Sequence, residues 1–204
     1  MRISAGNSCS VGRGLRQGCV LSTTLFSLFI DDIGSSLKDN SRGVDLGNSK
    51  MSHLLYADDL VLMEANGEDL QKSLDIVGSW CDANSLIINN NKSGVLHVRP
   101  KKKPRTTQVF TIKGVPVEMR DSYTYLGIPI TEHLDTRAMM EDRLTKGNRA
   151  LSALICKCRD FDPQFLLFSR LYDTLVATVI DYGAEVWGTR AVDRSVDRVQ
   201  NRAI

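Results

Sequence analysis

Two short apolar runs on either side of an acidic pair form the clearest pattern in this chain. The first run ends at Tyr56 and Ala57, the second begins at Leu60, and Asp58 and Asp59 lie between them. Both runs have the length and composition of β-strands, and the narrow polar break between them predicts a tight β-hairpin. Because a turn interrupts the alternation of side chains along a strand, both carboxylates can reach one side of the sheet end. The alternative is a solvated loop, since Asp is an ordinary turn residue.

Apolar residues at helical spacing predict a helix on each side of this hairpin. The first is expected to follow a glycine-punctuated loop, to have Ser22 as its N-cap and to end near Lys38. The second is expected to have Asn66 as its N-cap and to stop at Asn84. Their apolar positions are Leu25, Leu28, Phe29 and Ile33 in the first helix and Leu70, Leu74, Val77, Trp80 and Cys81 in the second. The face of the second helix is expected to pack in the core.

Short strands and three further helices are expected in the rest of the chain. The strands are expected over 44–46, 94–98, 109–112 and 115–118, the last two forming a hairpin around Lys113-Gly114. A further strand over 123–128 contains Gly127, and glycine inside a strand marks a bulge or a close backbone approach. The helices are expected over 136–158, from a first turn at Pro163 to Ile180, and from Ala191 to the end.

The composition is that of an ordinary soluble globular protein. The chain has 204 residues, of which 42% are hydrophobic and 25% are charged. No apolar run approaches the roughly 20 residues needed to span a bilayer, so no membrane partner is expected. Five cysteines without a zinc-like spacing indicate free thiols in a reducing compartment, which favours an intracellular protein of the cytoplasm or nucleus.

Charge gives only local indications of a nucleic-acid partner. The net charge of +2 is too small to establish one. The basic segment Arg99–Arg105 is expected to be a proline-bracketed linker that is either solvated or in contact with a phosphate backbone. The Asp58–Asp59 pair is a better indication, because neighbouring carboxylates repel each other unless a cation compensates. Their hard oxygen ligands suit Mg²⁺, which takes one or two protein carboxylates together with waters and substrate phosphates.

Four short blocks resemble those of reverse transcriptases in content and in order. The segment Tyr56–Asp59 is similar to the Tyr-X-Asp-Asp hairpin of that family. Arg16–Gly18 with Ser22 is similar to its second block, Lys92-Ser93 to its fourth, and Tyr125–Gly127 to its fifth. Because the order and spacing agree as well as the residues, the chain resembles part of the reverse transcriptase of a non-LTR (LINE-type) retrotransposon.

The resemblance implies a fold and an activity. The fold would be α+β, with a partial polymerase palm over 1–133, an antiparallel sheet with helices on one face, followed by an α-helical thumb portion over 134–204, truncated at its C-terminus. The activity would be that of an RNA-directed DNA polymerase, a two-metal nucleotidyl transfer to a primer 3′-hydroxyl. Mg²⁺ would be the cofactor, and an RNA template, a DNA primer and deoxynucleoside triphosphates would be the partners.

The resemblance also implies a role for each matched residue. Asp58 would be the main catalytic metal ligand and Asp59 the weaker one, and Lys92 would donate a proton to departing pyrophosphate. The residues expected to lie against the incoming nucleotide, the template or the primer end are Arg16, Gln17, Gly18, Ser22 and Tyr56. The residues expected to grip the primer strand are Tyr125, Leu126 and Gly127. For Arg16 and Lys92 the alternative is an ordinary solvated surface charge.

The catalytic set is expected to be incomplete in this chain. The first block of the family supplies a further carboxylate, and no residue here is a candidate for it. The chain is therefore expected to be a fragment that is inactive alone and that needs an N-terminal part of the same polyprotein as its partner. Two alternatives are a non-catalytic remnant that binds nucleic acid or protein, and a decayed copy that does not fold independently.

Overall fold

A computed structural model describes residues 19–159, 163–188 and Val199. The described residues form an α+β arrangement, as expected, with helices and short strands interspersed. The α-helices are α1 (Val20–Asn40), α2 (Gly67–Ala83), α3 (Thr136–Cys158), α4 (Phe165–Tyr172), α5 (Thr178–Asp181) and α6 (Ala184–Trp187), with a π-helix (Asp173–Ala177) between α4 and α5. The strands are β1 (Val44–Leu46), β2 (Ser49–Met51), β3 (His53–Tyr56), β4 (Asp59–Leu62), β5 (Val95–Leu96), β6 (Phe110–Ile112), β7 (Val115–Val117), β8 (Met119–Arg120), β9 (Ser122–Tyr125) and β10 (Ile128–Thr131).

Strand pairing in the described residues stops at two strands. β1–β2, β3–β4, β6–β7 and β9–β10 are antiparallel hairpins, whereas β5 and β8 pair in parallel. The predicted antiparallel sheet is thus present only as separate hairpins in this part of the chain. The predicted hairpin around Lys113-Gly114 is confirmed, and both turn residues have positive φ. The strand predicted over 94–98 is only the two residues of β5.

The chain divides into two compact units. The first comprises the residues up to Ser93 together with Gln108–Val117, and the second comprises Gly94–Thr107 together with the residues from Glu118 onward. Each unit has its own core, and the boundary between palm and thumb at 133/134 stays a prediction.

The core of the first unit is built by α1, α2 and the β3–β4 hairpin. Its buried side chains are Ile30, Ile33, Leu37, Val77, Trp80 and Cys81. The side chain of Asn66 accepts the backbone N–H of Asp69 at 2.9 Å and so caps α2, and α2 ends at the C-cap Asn84, as predicted. The predicted core face of α2 is confirmed, since Leu74 and Val77 are buried along with Trp80 and Cys81.

The predictions for α1 are partly wrong. Its N-cap is Cys19, so that Ser22 lies inside the first turn rather than before it. Of the four apolar positions predicted to share a face, only Ile33 is buried, although the ring of Phe29 also contacts Trp80 of α2, with 5.6 Å between the ring centres. Leu28 is 69% exposed, and the buried stripe is instead Ile30, Ile33, Gly34 and Leu37.

By length and composition alone, α1 is also apolar enough to cross a membrane. This differs from the expectation drawn from uninterrupted apolar runs, because the window includes Asp31 and Asp32. Asp32 accepts the indole N–H of Trp80 at 3.2 Å, which ties the middle of α1 to the core of the first unit. Core helices of globular proteins and signal segments near an N-terminus meet the same criterion, and 22% of the apolar window of α1 is buried.

The core of the second unit lies between α3, the π-helix and α5. Buried there are Leu151, Leu154, Cys158, Val176, Ile180 and Val199. The bounds of α3 are those predicted, and the Asp135 side chain caps it by accepting the backbone N–H of Arg137 at 3.0 Å. Gly147 permits the close approach of α5, because a Cβ there would lie 2.5 Å from Cγ1 of Ile180.

Two further helix predictions have different outcomes. Pro163 precedes the N-cap Gln164 instead of lying in the first turn of α4, and the π-helix interrupts the run that was predicted as one helix to Ile180. The helix predicted from Ala191 onward lies outside the described residues, except for Val199, which is helical and buried.

Candidate active site

The register of the β3–β4 hairpin decides which of its side chains face the core. Leu55 pairs with Leu60, and Tyr56 pairs with Asp59. Opposed residues of an antiparallel pair project to the same face, and successive residues alternate between faces. Leu55 and Leu60 pack on the core of the first unit, so Tyr56 and Asp59 share the opposite, solvent-facing side. Tyr56 is 62% exposed, and Asp59 is exposed as well.

The turn of this hairpin consists of Ala57 and Asp58, one residue earlier than the polar break Asp58-Asp59 predicts, so that Asp59 begins β4. Ala57 has a φ of 52°, in the left-handed region that favours glycine. A left-handed conformation at a residue with a Cβ costs about 1 kcal/mol, and tertiary structure has to sustain it. The packing of Leu55 and Leu60 beneath the turn provides that support, and Asp58 is presented at the exposed tip.

The chemistry of the tip suits a hard divalent cation that is shared with a substrate. Two adjacent exposed carboxylates offer oxygen ligands and leave room for waters and phosphates, which Mg²⁺ retains in its sites. Within the described ranges, no group of three or more His, Cys, Asp or Glu side chains is placed to hold a metal ion. Asp58 and Asp59 therefore fit a Mg²⁺ ion completed by substrate, and they do not form an all-protein cage.

Glu64 anchors the end of the hairpin, and sequence reasoning missed it. One carboxylate oxygen accepts the backbone N–H of Gly43 at 2.8 Å, and the other accepts the buried hydroxyl of Ser73 at 2.7 Å. The carboxylate thus joins the segment before β1, the segment after β4 and helix α2. The available signal was an acidic residue directly after the apolar run that ends at Met63.

His53 lies at the base of β3, where α1 covers it. Its Nδ1 is 3.0 Å from the Ser52 hydroxyl, and a Cβ on Gly34 would lie 3.0 Å from its Nε2. Burial beneath α1 lowers the pKa of His53, the Lys38 charge lowers it further, and Asp31 opposes the change. The neutral imidazole is therefore the form that this packing favours.

The remaining predicted residues of the first unit are distributed over loops and a helix start. Lys92 lies in an exposed turn, where its backbone N–H donates to the Asn89 carbonyl at 3.1 Å. The Ser22 hydroxyl hydrogen-bonds the Cys19 sulfur, and this bond is the main reason that the pKa of the Cys19 thiol is lowered. Arg16, Gln17 and Gly18 lie outside the described residues. The predicted roles of all these residues stay predictions.

The predicted primer-grip residues form a turn of the second unit. Tyr125 pairs with Ile128 across the β9–β10 hairpin, and Leu126 and Gly127 are the two turn residues. Their φ values are 46° and 77°, the arrangement expected of a type I′ turn. The prediction that a strand continues through Gly127 is wrong, because glycine here serves the reversal of the chain between two strands.

The expectation of a linker over Arg99–Arg105 is met only in part, because its two end arginines are ion-paired whereas its three lysines are exposed. Contact of this segment with a phosphate backbone stays a prediction. The Arg99 guanidinium donates to the Glu132 carboxylate at 2.9 Å, and Arg105 lies 2.7 Å from Asp121 and 3.5 Å from Glu132. These pairs hold both ends of the segment against the residues that flank the β9–β10 hairpin, and the residues between them, Pro100–Pro104, are exposed. The free cysteines expected from the sequence are confirmed at the described positions Cys19, Cys81, Cys156 and Cys158.

Comparison with protein families gives a match over most of the chain. Residues 2–130 match the family model described as reverse transcriptase (RNA-dependent DNA polymerase). The matched region contains Arg16–Gly18, the Asp58–Asp59 pair, Lys92 and the Leu126–Gly127 turn.

The individual relatives that match this chain are much longer polypeptides. A Pol polyprotein of the type-1 retrotransposable element R2 from Popillia japonica is 28% identical over 129 residues, which are 60% of this chain and 21% of the relative. A second R2 polyprotein, from Nasonia vitripennis, is 32% identical over 57% of this chain and 12% of the relative. An uncharacterized 149 kDa protein of transposon TX1 from Xenopus laevis is 37% identical over 87 residues. The chain thus spans about a fifth or less of the length of the curated relatives it matches.

Proposed function

Because this chain belongs to the reverse transcriptase (RNA-dependent DNA polymerase) family, we propose that its Asp58–Asp59 hairpin forms the metal-binding centre of an RNA-directed DNA polymerase. Its relatives bear the name of R2 retrotransposons, and the expected kinship with non-LTR reverse transcriptases is confirmed. The observation that carries the proposal is the exposure of both carboxylates at the end of the β3–β4 hairpin, with Asp58 in the turn and Asp59 at the start of β4, while the other face of the hairpin packs on the core.

The proposed reaction joins a nucleotide to a DNA primer that is paired with an RNA template. The primer 3′-oxygen forms a bond to the α-phosphorus, and the bond between that phosphorus and the bridging oxygen of the β-phosphate breaks. Two Mg²⁺ ions, when bound, lower the pKa of the 3′-hydroxyl and neutralise the departing pyrophosphate. Asp58 is the main ligand and Asp59 the weaker one in this proposal, and Tyr56 lies near the primer end on the same exposed face as Asp59.

Other residues bind the substrate or handle a proton in this proposal. Lys92 donates a proton to the leaving pyrophosphate, for which its position in an exposed turn is suitable. Arg16, Gln17, Gly18 and Ser22 lie against the incoming nucleotide and the template. The palm is proposed to carry the β3–β4 hairpin, and the helices from α3 onward are proposed to form part of the thumb.

We further propose that the Asp58–Asp59 pair is insufficient for full activity. A two-ion site usually draws carboxylates from more than one structural element. In the part of the chain that the structure describes, the pair does not belong to a larger group of possible metal ligands. Activity is therefore expected only when another segment of the polyprotein supplies a further carboxylate.

Primer extension with matched variants tests the proposal. The assay compares the chain alone with the chain joined to the polypeptide that its reading frame encodes upstream, each with Mg²⁺, a primed RNA template and deoxynucleoside triphosphates. We expect extension by the longer protein and a loss of at least about a hundredfold with Asp58→Asn. Asp39→Asn, at the exposed end of α1, is the control and should leave the rate unchanged. Extension that survives Asp58→Asn, or that fails in the unsubstituted longer protein, would reject the proposal.

A non-catalytic binding remnant is the second candidate function. It is favoured by the N-terminal half of α1, where Val20, Leu21 and Leu25 are exposed although they are apolar. Such a surface is common where a protein contacts a partner. Binding of a primed template that is unchanged by removal of Mg²⁺ with EDTA and by Asp58→Asn would support this candidate over the polymerase.

A further inference from the structure

Both backbone carbonyls of the Leu126–Gly127 turn accept hydrogen bonds from side chains in the helical part of the second unit. The hydroxyl of Tyr182, between α5 and α6, donates to the Leu126 carbonyl at 2.8 Å. The guanidinium of Arg143, on α3, donates to the Gly127 carbonyl. These four residues belong to one compact unit, although 56 residues separate Leu126 from Tyr182 along the chain.

The two donor side chains also contact each other. The Arg143 guanidinium carbon lies 5.1 Å from the centre of the Tyr182 ring, within the range of a cation–π interaction. Arg143 is buried and has the Asp142 carboxylate as its ion-pair partner at 2.7 Å. Asp142 also accepts from Lys146 at 2.8 Å. A buried arginine is costly unless its charge and its hydrogen-bond donors are satisfied, and the turn carbonyl is one of the groups that satisfy it.

The turn has a reason to need such support. Leu126 has a φ of 46°, a conformation that is unfavourable for a residue with a Cβ. An isolated two-stranded hairpin such as β9–β10 is only marginally stable without tertiary contacts. A Cβ on Gly127 would lie 3.8 Å from the Tyr182 ring, so the ring lies beside the turn with room for no more than a methyl group between them.

We propose that Arg143 and Tyr182 are positioning residues that fix the Leu126–Gly127 turn in the shape that holds the 3′ end of a primer strand, an inference that rests on the proposed polymerase function. Neither side chain is required to touch the nucleic acid. Each holds one carbonyl of the turn, and their stacking makes the two bonds interdependent. Loss of either donor therefore loosens the turn and weakens the grip on a strand end.

Two conservative variants of the full chain test this inference. Tyr182→Phe keeps the ring over Arg143 and removes only the donor to Leu126. Arg143→Lys keeps the charge but loses the planar group that both stacks and donates. The matched controls are Tyr172→Phe in α4 and Arg149→Lys on an exposed position of α3, because neither side chain contacts the turn in the described structure.

Hydrogen exchange of the peptide covering 122–131 measures the turn itself. We expect Tyr182→Phe and Arg143→Lys to accelerate its exchange about fivefold, the factor expected for the loss of one hydrogen bond. The controls should leave this peptide unchanged, and exchange of the C-terminal half of α3, whose Leu151 and Leu154 are buried, serves as the check for unfolding of the second unit. Equal exchange in Tyr182→Phe, Arg143→Lys and their controls would overturn the inference.

Binding of two duplexes of equal length and charge measures the consequence for the primer. One duplex has a recessed primer 3′ end and the other is blunt. A general loss of structure lowers both affinities equally, whereas a loosened grip lowers the affinity for the recessed end about fivefold more. The ratio of the two affinities, recessed over blunt, is compared between Tyr182→Phe and Tyr172→Phe. If the unsubstituted chain binds tightly and the two variants give the same ratio, the positioning role is refuted and the polymerase proposal stays intact. No preference of the unsubstituted chain for the recessed duplex would overturn the positioning inference, even if the turn loosens, whereas the polymerase proposal is decided separately by primer extension.

Discussion

Two glycines that flank β1 provide a sharp test of how the hairpin with the acidic pair is supported. Gly43 has a φ of +64° and Gly47 a φ of +67°, so alanine is equally strained at either position by its backbone conformation. Their surroundings differ. A Cβ on Gly43 would lie 2.7 Å from the Met51 carbonyl oxygen and 3.0 Å from the Ser52 nitrogen, whereas nothing lies within 4 Å of one on Gly47.

The difference in surroundings sets the expected cost of each substitution. Alanine in the left-handed region costs about 1–2 kcal/mol, and a reduction of about 0.4–1 kcal/mol in the entropy cost of folding offsets part of it. Gly47→Ala should therefore lower the free energy of unfolding by about 1 kcal/mol. Gly43→Ala also displaces the backbone of Met51 and Ser52, which adds about 1–3 kcal/mol for overpacking against atoms that cannot rotate away.

The displacement would act directly on the candidate site. Ser52 immediately precedes β3, and the backbone N–H of Gly43 donates to Glu64 at the end of β4. Both ends of the hairpin are thus tied to the segment that Gly43→Ala would move.

Urea denaturation followed by pulsed hydrogen exchange of the peptide covering 52–63 measures both variants on the same element. Gly43→Ala should be less stable than Gly47→Ala by about 1–3 kcal/mol, with unchanged exchange in α3 of the other unit. Equal stability of the two variants within about 0.5 kcal/mol would refute the reasoning, because both share the backbone strain and differ only in the contact with Met51 and Ser52.

Three further predictions concern the turn and two titrating groups. Ala57→Val should destabilise the hairpin by about 1–2 kcal/mol and Ala57→Gly should not, because a β-branched residue tolerates positive φ poorly. The urea concentration at which half of the molecules have lost exchange protection over 52–63 measures both variants. A Val variant as stable as the Gly variant would contradict the prediction. Hydrogen bonds from Lys72 and then Asn66 lower the pKa of Asp69. Its contribution to stability should therefore be complete above the unfolded pKa near 4 and be lost as the pH falls through the lower folded value. Asp69→Asn should remove this loss of stability at acid pH, and an unchanged loss in the variant would count against the prediction. Burial lowers the pKa of His53, so the first unit should lose stability as the pH falls from about 6.5 through the folded value. Thermal melts of His53→Gln should no longer show this loss. The same pH profile of stability with and without His53 would show that another group is responsible.

The parts of the fold that the sequence predicted well depend on residues close together in the chain. The Asp58 turn lies between two strands of four residues each, and the polar break alone places it to within one residue. The bounds of α3 follow from a capping Asp135 and a sustained helical period. Hydrogen bonds of helices and hairpins close over a few residues, so local patterns contain the information that decides them.

Predictions that required knowledge of distant partners did less well. The buried face of α1 was misassigned because its N-terminal half is as apolar as the half that contacts α2. Arg99 was expected to be solvated because its partner Glu132 lies 33 residues further along the chain. The role of Glu64 was missed for the same reason, since its contacts to Gly43 and Ser73 bridge three elements.

The sequence alone therefore determined the acidic pair, its place at the end of a hairpin, the bounds of α2 and α3 and the family of the chain. The tertiary structure decided which face of each helix is buried, that Leu126 and Gly127 reverse the chain, and that Arg143 and Tyr182 hold their carbonyls. The physical reason is that hydrogen bonding within an element is local, whereas burial and charge pairing depend on which residues the fold brings together.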